Sequence, residues 1–153
     1  MNAETVTDLK PVVIIAGPTA SGKSRLALDV AGAFAGTVIN ADSMQVYREL
    51  RVLTARPGPA DEKVAPHRLF GLLAAAEACS AGRWLKLAAA EIEQARGEGR
   101  LPVVTGGTGL YLKALTEGLV EVPDVPAEIN AEVGRLFDDI GGDAFRAALA
   151  ALD

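Results

Sequence analysis

The stretch Gly17-Pro18-Thr19-Ala20-Ser21-Gly22-Lys23-Ser24 carries the strongest structural signal in this sequence. It fills every fixed position of the pattern G-x-x-x-x-G-K-[ST], in which successive backbone N–H groups bind phosphate oxygens. The glycines allow the backbone to turn these groups inward, and the helix that begins here adds positive partial charge. Lys23 supplies a mobile charge, and the Ser24 hydroxyl is suited to bind Mg²⁺. The motif predicts diphosphate or triphosphate binding without specifying ATP.

The residues on either side of this loop predict a β-α-β unit. Residues 11–16, PVVIIA, form an apolar run typical of a buried parallel strand. A helix with Gly36 as its stop and a second strand over residues 37–41, beside the first, are expected to follow. The apolar positions of the helix are Leu26, Ala27, Val30, Ala31 and Phe34.

The rest of the chain continues the pattern of an α/β protein. Residues 67–73, HRLFGLL, and 101–105, LPVVT, predict two further strands. Between them Ser80 is expected to cap an amphipathic helix whose apolar face contains Leu85, Ala88, Ile92 and Ala95. Another helix is expected from Leu110, and two amphipathic helices joined by a Gly-Gly turn are expected after Val120.

Composition sets broad limits on function. The net charge is −5, but residues 1–120 carry +1 and residues 121–153 carry −6, so charge neither supports nor excludes RNA binding. No apolar run is long enough to predict a membrane span. One cysteine and one histidine are too few for a zinc site built by the protein, and a lone cysteine is typical of the reducing cytoplasm.

The second motif is the stretch NADSMQVY, residues 40–47. Asp42 follows the second predicted strand, at the edge where open α/β sheets bind ligands. Its carboxylate is suited to hold Mg²⁺-bound water or to accept a proton, while the structural alternative is a turn cap. Ser43 and Gln45 are suited to contact a base edge, and Tyr47 is suited to stacking or to the core.

The third motif is TGGTGLY, residues 105–111, after the last predicted strand. A nucleoside triphosphatase would often carry an Asp at this strand end, and its absence argues against an ATPase motor. The alternative is a structural turn with Thr108 as helix N-cap. His67 and Trp84 are expected to be structural. Two cations in a polar loop, Arg56 and Lys63, are expected to be solvated or to contact RNA phosphates.

Together these stretches resemble the tRNA dimethylallyltransferase family. The resemblance covers about residues 11–128 and rests on GPTASGKS, INADSMQVYREL, LTARP, PHR and GRLPVVTGGTGLYLKAL, in that order. It implies a P-loop nucleoside-triphosphatase-like parallel sheet with flanking helices over residues 1–120, incomplete here. Residues 121–153 would be the start of a helical insertion domain.

The resemblance also implies a reaction and its residues. The exocyclic amine of the adenine 3′-adjacent to the anticodon of tRNA would attack dimethylallyl diphosphate, with Asp42 as general base, Lys23 as a second catalytic residue and Mg²⁺, bound by Ser24, as cofactor. The implied diphosphate-binding residues are Gly17, Pro18, Thr19, Ala20, Ser21, Gly22, Lys23 and Ser24. The implied tRNA-binding residues are Asp42, Ser43, Met44, Gln45, Thr108 and Asn130, the last standing where an arginine is expected. The expected protein is a cytoplasmic monomer.

Three alternatives remain open at this point. They are a P-loop small-molecule or nucleoside kinase, an adenylate isopentenyltransferase acting on a free nucleotide, and a non-catalytic phosphate-binding remnant. Relatives of the resembled family continue with an arginine-containing segment, a last core strand and tRNA-binding helices. The chain alone is therefore expected to be part of a longer protein and poorly active.

Overall fold

A computed structural model of the protein describes residues 11–120 and 125–152. A short 3-10 helix (Arg48–Leu50) precedes α2. The regular elements, in chain order, are β1 (Val13–Ala16), α1 (Lys23–Ala33), β2 (Gly36–Asn40), α2 (Pro59–Glu62), β3 (His67–Arg68), α3 (Ala81–Gly97), β4 (Leu101–Gly106), α4 (Gly109–Glu117) and α5 (Ala127–Ala150). The predicted α/β class is confirmed.

The four strands form one parallel sheet in the order β1-β4-β2-β3. The expectation that the second strand lies beside the first is wrong, because β4 lies between them. Val103 and Val104 of β4 are both fully buried, on opposite faces of the sheet. An inner position suits a strand that is apolar on both faces, whereas β1 alternates between half-buried and exposed residues.

Helices cover both faces of this sheet. On one face Ala27 and Ala31 of α1 pack against Val38 and Val103. On the other face α3 and α4 enclose a larger cluster that includes Ile39, Trp84, Ile92, Val104 and Tyr111. Alternate residues of β2 and β4 thus belong to opposite clusters, as the two-residue period of a strand requires. The sheet is therefore packed between α1 on one face and α3 with α4 on the other.

Two of the predicted boundaries are corrected by backbone geometry. Gly36 is the first residue of β2 and not the stop of α1, which ends at Ala33. A Cβ at Gly36 would lie 2.9 Å from the Cα of Ala31 and 3.0 Å from the carbonyl oxygen of Leu101, so close packing requires glycine there. The strand predicted over residues 67–73 is reduced to β3, because Leu69 (φ 63°) and Gly71 (φ 58°) turn the backbone away.

Three of the predicted helices are confirmed with small changes. Ser80 caps α3 by accepting a hydrogen bond from the backbone N–H of Arg83, at 3.1 Å. Its buried face contains Trp84, Ala88, Ile92 and Ala95, while Leu85 is only partly buried. The two helices expected after Val120 are found as α5, broken at Gly141 (φ 78°, ψ 164°) within the expected Gly-Gly turn.

The chain divides into two compact units, Met1–Leu119 and Val120–Asp153. The first contains the sheet with α1 to α4, and the second contains α5. Apolar residues recur along α5 at Ile129, Val133, Leu136, Phe137 and Ile140, and each is more than 40% exposed. No helix within the described residues is both long and apolar enough to cross a membrane.

Candidate functional site

The residues of the first motif, 17–24, form the phosphate-type loop, which connects the end of β1 to the start of α1 as the motif predicts. Gly22 adopts a left-handed conformation (φ 87°, ψ 6°) at the N-cap of α1, where a β-carbon would be strained. A Cβ at Gly107 would lie 3.3 Å from the carbonyl oxygen of Gly17. The β4–α4 turn therefore lies directly beside the loop. The residues Thr19, Ala20, Ser21, Gly22 and Ser24 are exposed, which leaves this part of the loop open to a ligand.

Lys23 is folded back onto its own loop. Its Nζ donates a hydrogen bond to the carbonyl oxygen of Pro18. A phosphate oxygen would be a stronger, charged acceptor for this ammonium group than the carbonyl is. Lys23 is therefore positioned to exchange a neutral carbonyl for an anionic ligand.

Asp42 lies immediately beyond β2 and organises a tight turn. Its backbone N–H donates to Oδ1 of Asn40 at 2.9 Å, and its own Oδ1 accepts from the N–H groups of Met44 (2.8 Å) and Gln45 (3.3 Å). Within the described part of the chain, no hydrogen bond reaches its second oxygen, Oδ2. The turn-cap interpretation of Asp42 is thus correct for one oxygen, and the other remains available for chemistry.

Contacts across the sheet edge hold this turn against the β4–α4 turn. The hydroxyl of Thr108 accepts a hydrogen bond from the backbone N–H of Ser43 at 2.9 Å. The backbone N–H of Thr108 donates to the carbonyl oxygen of Ala41 at 3.2 Å. Thr108 occupies the N-cap position of α4, as the structural-turn alternative expects, but its side chain makes no hydrogen bond to the helix. Its hydroxyl instead joins the second and third motifs.

A small pocket joins the phosphate-type loop to Asp42. It has a volume of about 30 Å³ and is lined by Ser24, Asp42, Gln45, His67 and Thr105, among others. The residues described contain no cluster of three or more His, Cys, Asp or Glu side chains that could hold a metal. However, Mg²⁺ that binds a diphosphate takes few protein ligands and keeps several waters. The hydroxyl of Ser24, which lines this pocket, therefore fits such an ion.

Most of the residues expected to contact RNA lie in the first unit, near Asp42, and Asn130 lies in the second unit. Met44 is about half exposed beside Asp42. Gln45 is partly committed, because its Nε2 donates to the carbonyl oxygen of Thr54 at 3.1 Å. Tyr47 packs, partly buried, against the core cluster. Asn130 belongs to the second unit, where it is exposed on α5.

The remaining predicted residues have mainly structural contacts. Trp84 is fully buried and donates from its Nε1 to the carbonyl oxygen of Asn40 at 2.8 Å. The Nδ1 of His67 lies 2.9 Å from the carbonyl oxygen of Ala65. Arg56 is half-buried and donates to the carbonyl oxygen of Tyr47 at 3.2 Å, so the expectation that it is simply solvated is wrong. Lys63 is exposed.

The aromatic pair behind the site is rigid and uncharged. Tyr111 stacks on Trp84 with ring centroids 4.6 Å apart and planes 9° from parallel. Burial raises the pKa of the Tyr111 hydroxyl well above its usual value, and a hydrogen bond with the Cys79 side chain acts in the same direction. The hydroxyl also donates a hydrogen bond to the carbonyl oxygen of Cys79 at 3.2 Å. The negative charge of Asp42 is among the weaker causes. The phenol therefore stays protonated and supports the turn from behind.

Two residues of this site were not identified from the sequence. Asn40 orders the Asp42 turn, and its Nδ2 also donates to the carbonyl oxygens of Asp42 (3.0 Å) and Leu69 (3.1 Å). Thr105 lines the pocket and is 94% buried, with 6% of its surface exposed. Each is a polar residue near the end of an otherwise apolar strand, and this pattern was the available signal.

Comparison with family models gives two matches. The model described as IPP transferase matches residues 45–153, and the model described as isopentenyl transferase matches residues 10–70. The first match covers more than half of the chain. The two models together span both the phosphate-type loop and the third motif.

Curated relatives with the name tRNA dimethylallyltransferase are similar over most of the chain. The Rhodospirillum rubrum protein is 59% identical over 143 residues, which are 94% of this chain and 44% of that protein. The Rhodospirillum centenum protein is 57% identical over 144 residues, which are 94% of this chain and 46% of that protein. The chain thus spans less than half the length of these relatives.

Solved structures show the same similarity in three dimensions. The tRNA isopentenylpyrophosphate transferase of Bacillus halodurans superposes with a TM-score of 0.71 and 31% identity, covering 95% of this chain and 48% of that one. A eukaryotic dimethylallyltransferase acting on tRNA superposes with a TM-score of 0.73 and 30% identity, covering 82% of this chain and 32% of that one.

Proposed function

The chain belongs to the IPP transferase family, and we propose that it carries the diphosphate site and the general base of a tRNA dimethylallyltransferase. The substrates proposed are dimethylallyl diphosphate and the adenine 3′-adjacent to the anticodon of tRNA. The similarity to tRNA dimethylallyltransferases and to a eukaryotic dimethylallyltransferase acting on tRNA supports the prenyl transfer and the tRNA substrate. Because tRNA is the proposed substrate, the proposed compartment is the cytoplasm. The proposed form of the protein is a monomer.

The chemistry follows from what the loop and the turn each offer. The exocyclic nitrogen of adenine forms a bond to the allylic carbon while that carbon's bond to diphosphate oxygen breaks. Asp42 accepts the proton that the nitrogen loses, and the diphosphate leaves with the electron pair of the broken bond. The N–H groups of the loop and the ammonium of Lys23 bind the charge that develops on the leaving group. Mg²⁺, held in part by Ser24, would neutralise the same charge when bound.

The observation that carries this proposal is that the two oxygens of the Asp42 carboxylate have different surroundings. Oδ1 is fixed by two backbone N–H groups, and Oδ2 has no hydrogen bond within the described residues. The same side chain lines a pocket with Ser24 of the phosphate-type loop. A base oriented by one oxygen, with its other oxygen available beside a diphosphate site, is the arrangement that amine alkylation requires.

We would test the proposal in a chimera in which this chain replaces the matching segment of the Rhodospirillum rubrum relative. The chimera is incubated with labelled dimethylallyl diphosphate, Mg²⁺ and unmodified tRNA, and label on the RNA is measured. In the Asp42→Asn variant we expect transfer to fall by at least about 10²-fold, because the base is lost. The amide oxygen of Asn still accepts the turn's N–H groups, so the loop stays ordered.

Three further measurements separate the proposal from its rivals. Equilibrium binding of dimethylallyl diphosphate should be nearly unchanged in Asp42→Asn and weakened in Lys23→Met. Phosphoryl transfer from ATP to a nucleoside would favour the kinase instead, and label on free AMP in preference to tRNA would favour the adenylate enzyme. A chimera without transfer to tRNA, although it folds and binds the diphosphate, would refute the proposal.

A further inference from the structure

Thr105 presents a buried hydroxyl that the fold itself does not use. It lies near the carboxyl end of β4, with Ile15 of β1 and Asn40 of β2 as its partners in register. Its side chain is 94% buried, and its Oγ1 finds no hydrogen-bond partner among the residues that the structure describes. A buried hydroxyl without a partner is costly, so its presence at this position calls for a partner outside the chain.

The surroundings of Thr105 identify the kind of partner. Thr105 lines the pocket of about 30 Å³ that Asp42 and Ser24 also line. This volume accommodates one or two water molecules. The polar side chains of Asn40, Gln45 and His67 line the same pocket, so a water there has several possible partners besides Thr105.

The position of Thr105 distinguishes it from the other buried threonine of the sheet. Thr37, near the opposite end of β2, accepts a hydrogen bond from Nε of Arg100 at 3.0 Å and is therefore satisfied by the protein. Thr105 lies at the end where the phosphate-type loop and the Asp42 turn meet. The hydroxyl that lacks a protein partner is thus the one at the proposed reaction site.

We propose that Thr105 binds an ordered water in this pocket and that this water hydrogen-bonds the carboxylate of Asp42. Thr105 is then a positioning residue, which acts on the reacting atoms through the water and through Asp42. The water would help to orient the carboxylate toward the amine and would not itself be consumed. This inference rests on the proposed function, in which Asp42 is the general base.

Substitution of Thr105 by valine separates this role from a purely structural one. Valine has nearly the same shape and lacks the hydroxyl, so the water loses its anchor while the packing of β4 is retained. In the chimera we expect kcat for transfer to fall about tenfold, with KM for dimethylallyl diphosphate unchanged. We expect Thr105→Ser to restore most of kcat, and the midpoint of thermal unfolding of Thr105→Val to be unchanged or higher.

Thr37→Val is the matched control, because it removes a buried threonine hydroxyl from the same sheet. It takes an acceptor from Arg100, so we expect a lower unfolding midpoint with kcat per folded molecule unchanged. A high-resolution crystal structure should show a water within hydrogen-bond distance of Thr105 Oγ1 and Asp42, absent from Thr105→Val.

The possible outcomes are distinct. If the parent chimera transfers label and Thr105→Val transfers it equally well, the role of Thr105 is refuted while the proposed function stands. If stability and kcat fall together in Thr105→Val and serine, which keeps the hydroxyl, restores neither, the packing of the threonine side chain and not its hydroxyl explains the loss, and the inference is again refuted. If the parent chimera does not transfer label although it folds and binds the diphosphate, the proposed function itself fails.

Discussion

The hydroxyl of Thr108 shows how one atom can order a site from a distance. It lies at the N-cap position of α4 but accepts from the N–H of Ser43, which is 65 residues earlier in the chain. This bond fixes the residue next to Asp42. As the proposed general base, Asp42 must be held to within a fraction of an ångström, so the bond bears on rate as well as stability.

We therefore predict that Thr108→Val impairs transfer more than it impairs folding. Removing the acceptor leaves the Ser43 N–H without its partner and should lower the free energy of unfolding by about 1 kcal/mol. The transfer rate should fall by roughly tenfold, because the Asp42 turn becomes less well fixed. Urea unfolding and the labelled-transfer assay measure the two effects.

The serine variant provides the control for this prediction. Thr108→Ser keeps the accepting hydroxyl and should retain most of the parent rate. A loss of rate in the serine variant equal to that in the valine variant would show that the hydrogen bond alone does not support the turn, because serine keeps the accepting hydroxyl.

Local patterns identified the residues of this site better than their connections. GPTASGKS and the Asp42 stretch could be recognised because their backbone or strand-end positions are set by neighbours in sequence. The Ser43–Thr108 bond and the commitment of Gln45 to Thr54 depend on how separate turns meet. The periodicity of a sequence does not predict contacts between separate turns, so only the structure could show these hydrogen bonds.

At the scale of elements, the close packing of strand ends brings the three motifs together. A Cβ at Gly106, the last residue of β4, would lie 2.2 Å from both the carbonyl carbon and the carbonyl oxygen of Ala41. Both of these atoms belong to the backbone, so no side chain can move aside. The glycine thus allows the β4–α4 turn to approach the Asp42 turn.

Gly106→Ala should consequently separate these elements. We expect the free energy of unfolding to fall by about 3 kcal/mol or more, because the clash is between main-chain atoms. Diphosphate binding should also weaken, since the turn after β4 lies against the phosphate-type loop. Urea unfolding and equilibrium binding on the chain are the measurements.

Gly97→Ala is the matched control for this change. A Cβ at Gly97, at the end of α3, has no neighbour within 4 Å in the structure as described. Alanine favours the helix over glycine, so we expect stability to rise by about 0.5–1 kcal/mol. Comparable losses in both variants would show that glycine flexibility, and not the Ala41 contact, explains the effect.

The sequence predicted the elements more successfully than their order. Apolar runs and helical spacing located β1, α1, β2, α3, β4 and α4, because burial imposes these periods locally. The place of β4 between β1 and β2 depends on competition among strands for the inner positions. The loss of most of the third strand depends on left-handed backbone at Leu69 and Gly71, and only the glycine gave a warning.

At the scale of the whole molecule, the sheet-containing unit is supported from behind the site by the Trp84–Tyr111 stack. Both rings are buried, and they link α3 to α4. Burial raises the pKa of the Tyr111 hydroxyl above its ordinary value of 10, with the hydrogen bond to Cys79 adding to the shift. The folded state therefore holds this proton more tightly than the unfolded state does.

This difference predicts a loss of stability at alkaline pH. Below pH 10 both states keep the proton, and the contribution of Tyr111 is fully present. As the pH rises above about 10, the unfolded state releases the proton while the folded state retains it. Stability should decline until the higher pKa of the folded state is reached. Urea midpoints measured between pH 8 and about 11 should show this decline.

Tyr111→Phe tests the assignment, because it keeps the ring stack and removes the ionisable group. At neutral pH it should lose about 1 kcal/mol, the usual contribution of a single hydrogen bond. Its alkaline decline should be shallower than that of the parent protein. An identical slope in both proteins would assign the alkaline effect to other groups.

Lys23 already donates a hydrogen bond to the carbonyl oxygen of Pro18. A ligand of the phosphate-type loop must therefore offer Lys23 a better acceptor than this carbonyl. Because the ammonium already has an acceptor, a ligand gains only the difference in hydrogen-bond energy between its own oxygen and the peptide carbonyl that it displaces. Alcohols and amides offer no better oxygen than the carbonyl does and gain almost nothing from Lys23. Phosphate oxygens carry full negative charge and displace the carbonyl with a net benefit. An anionic ligand therefore gains more from Lys23 than a neutral one does.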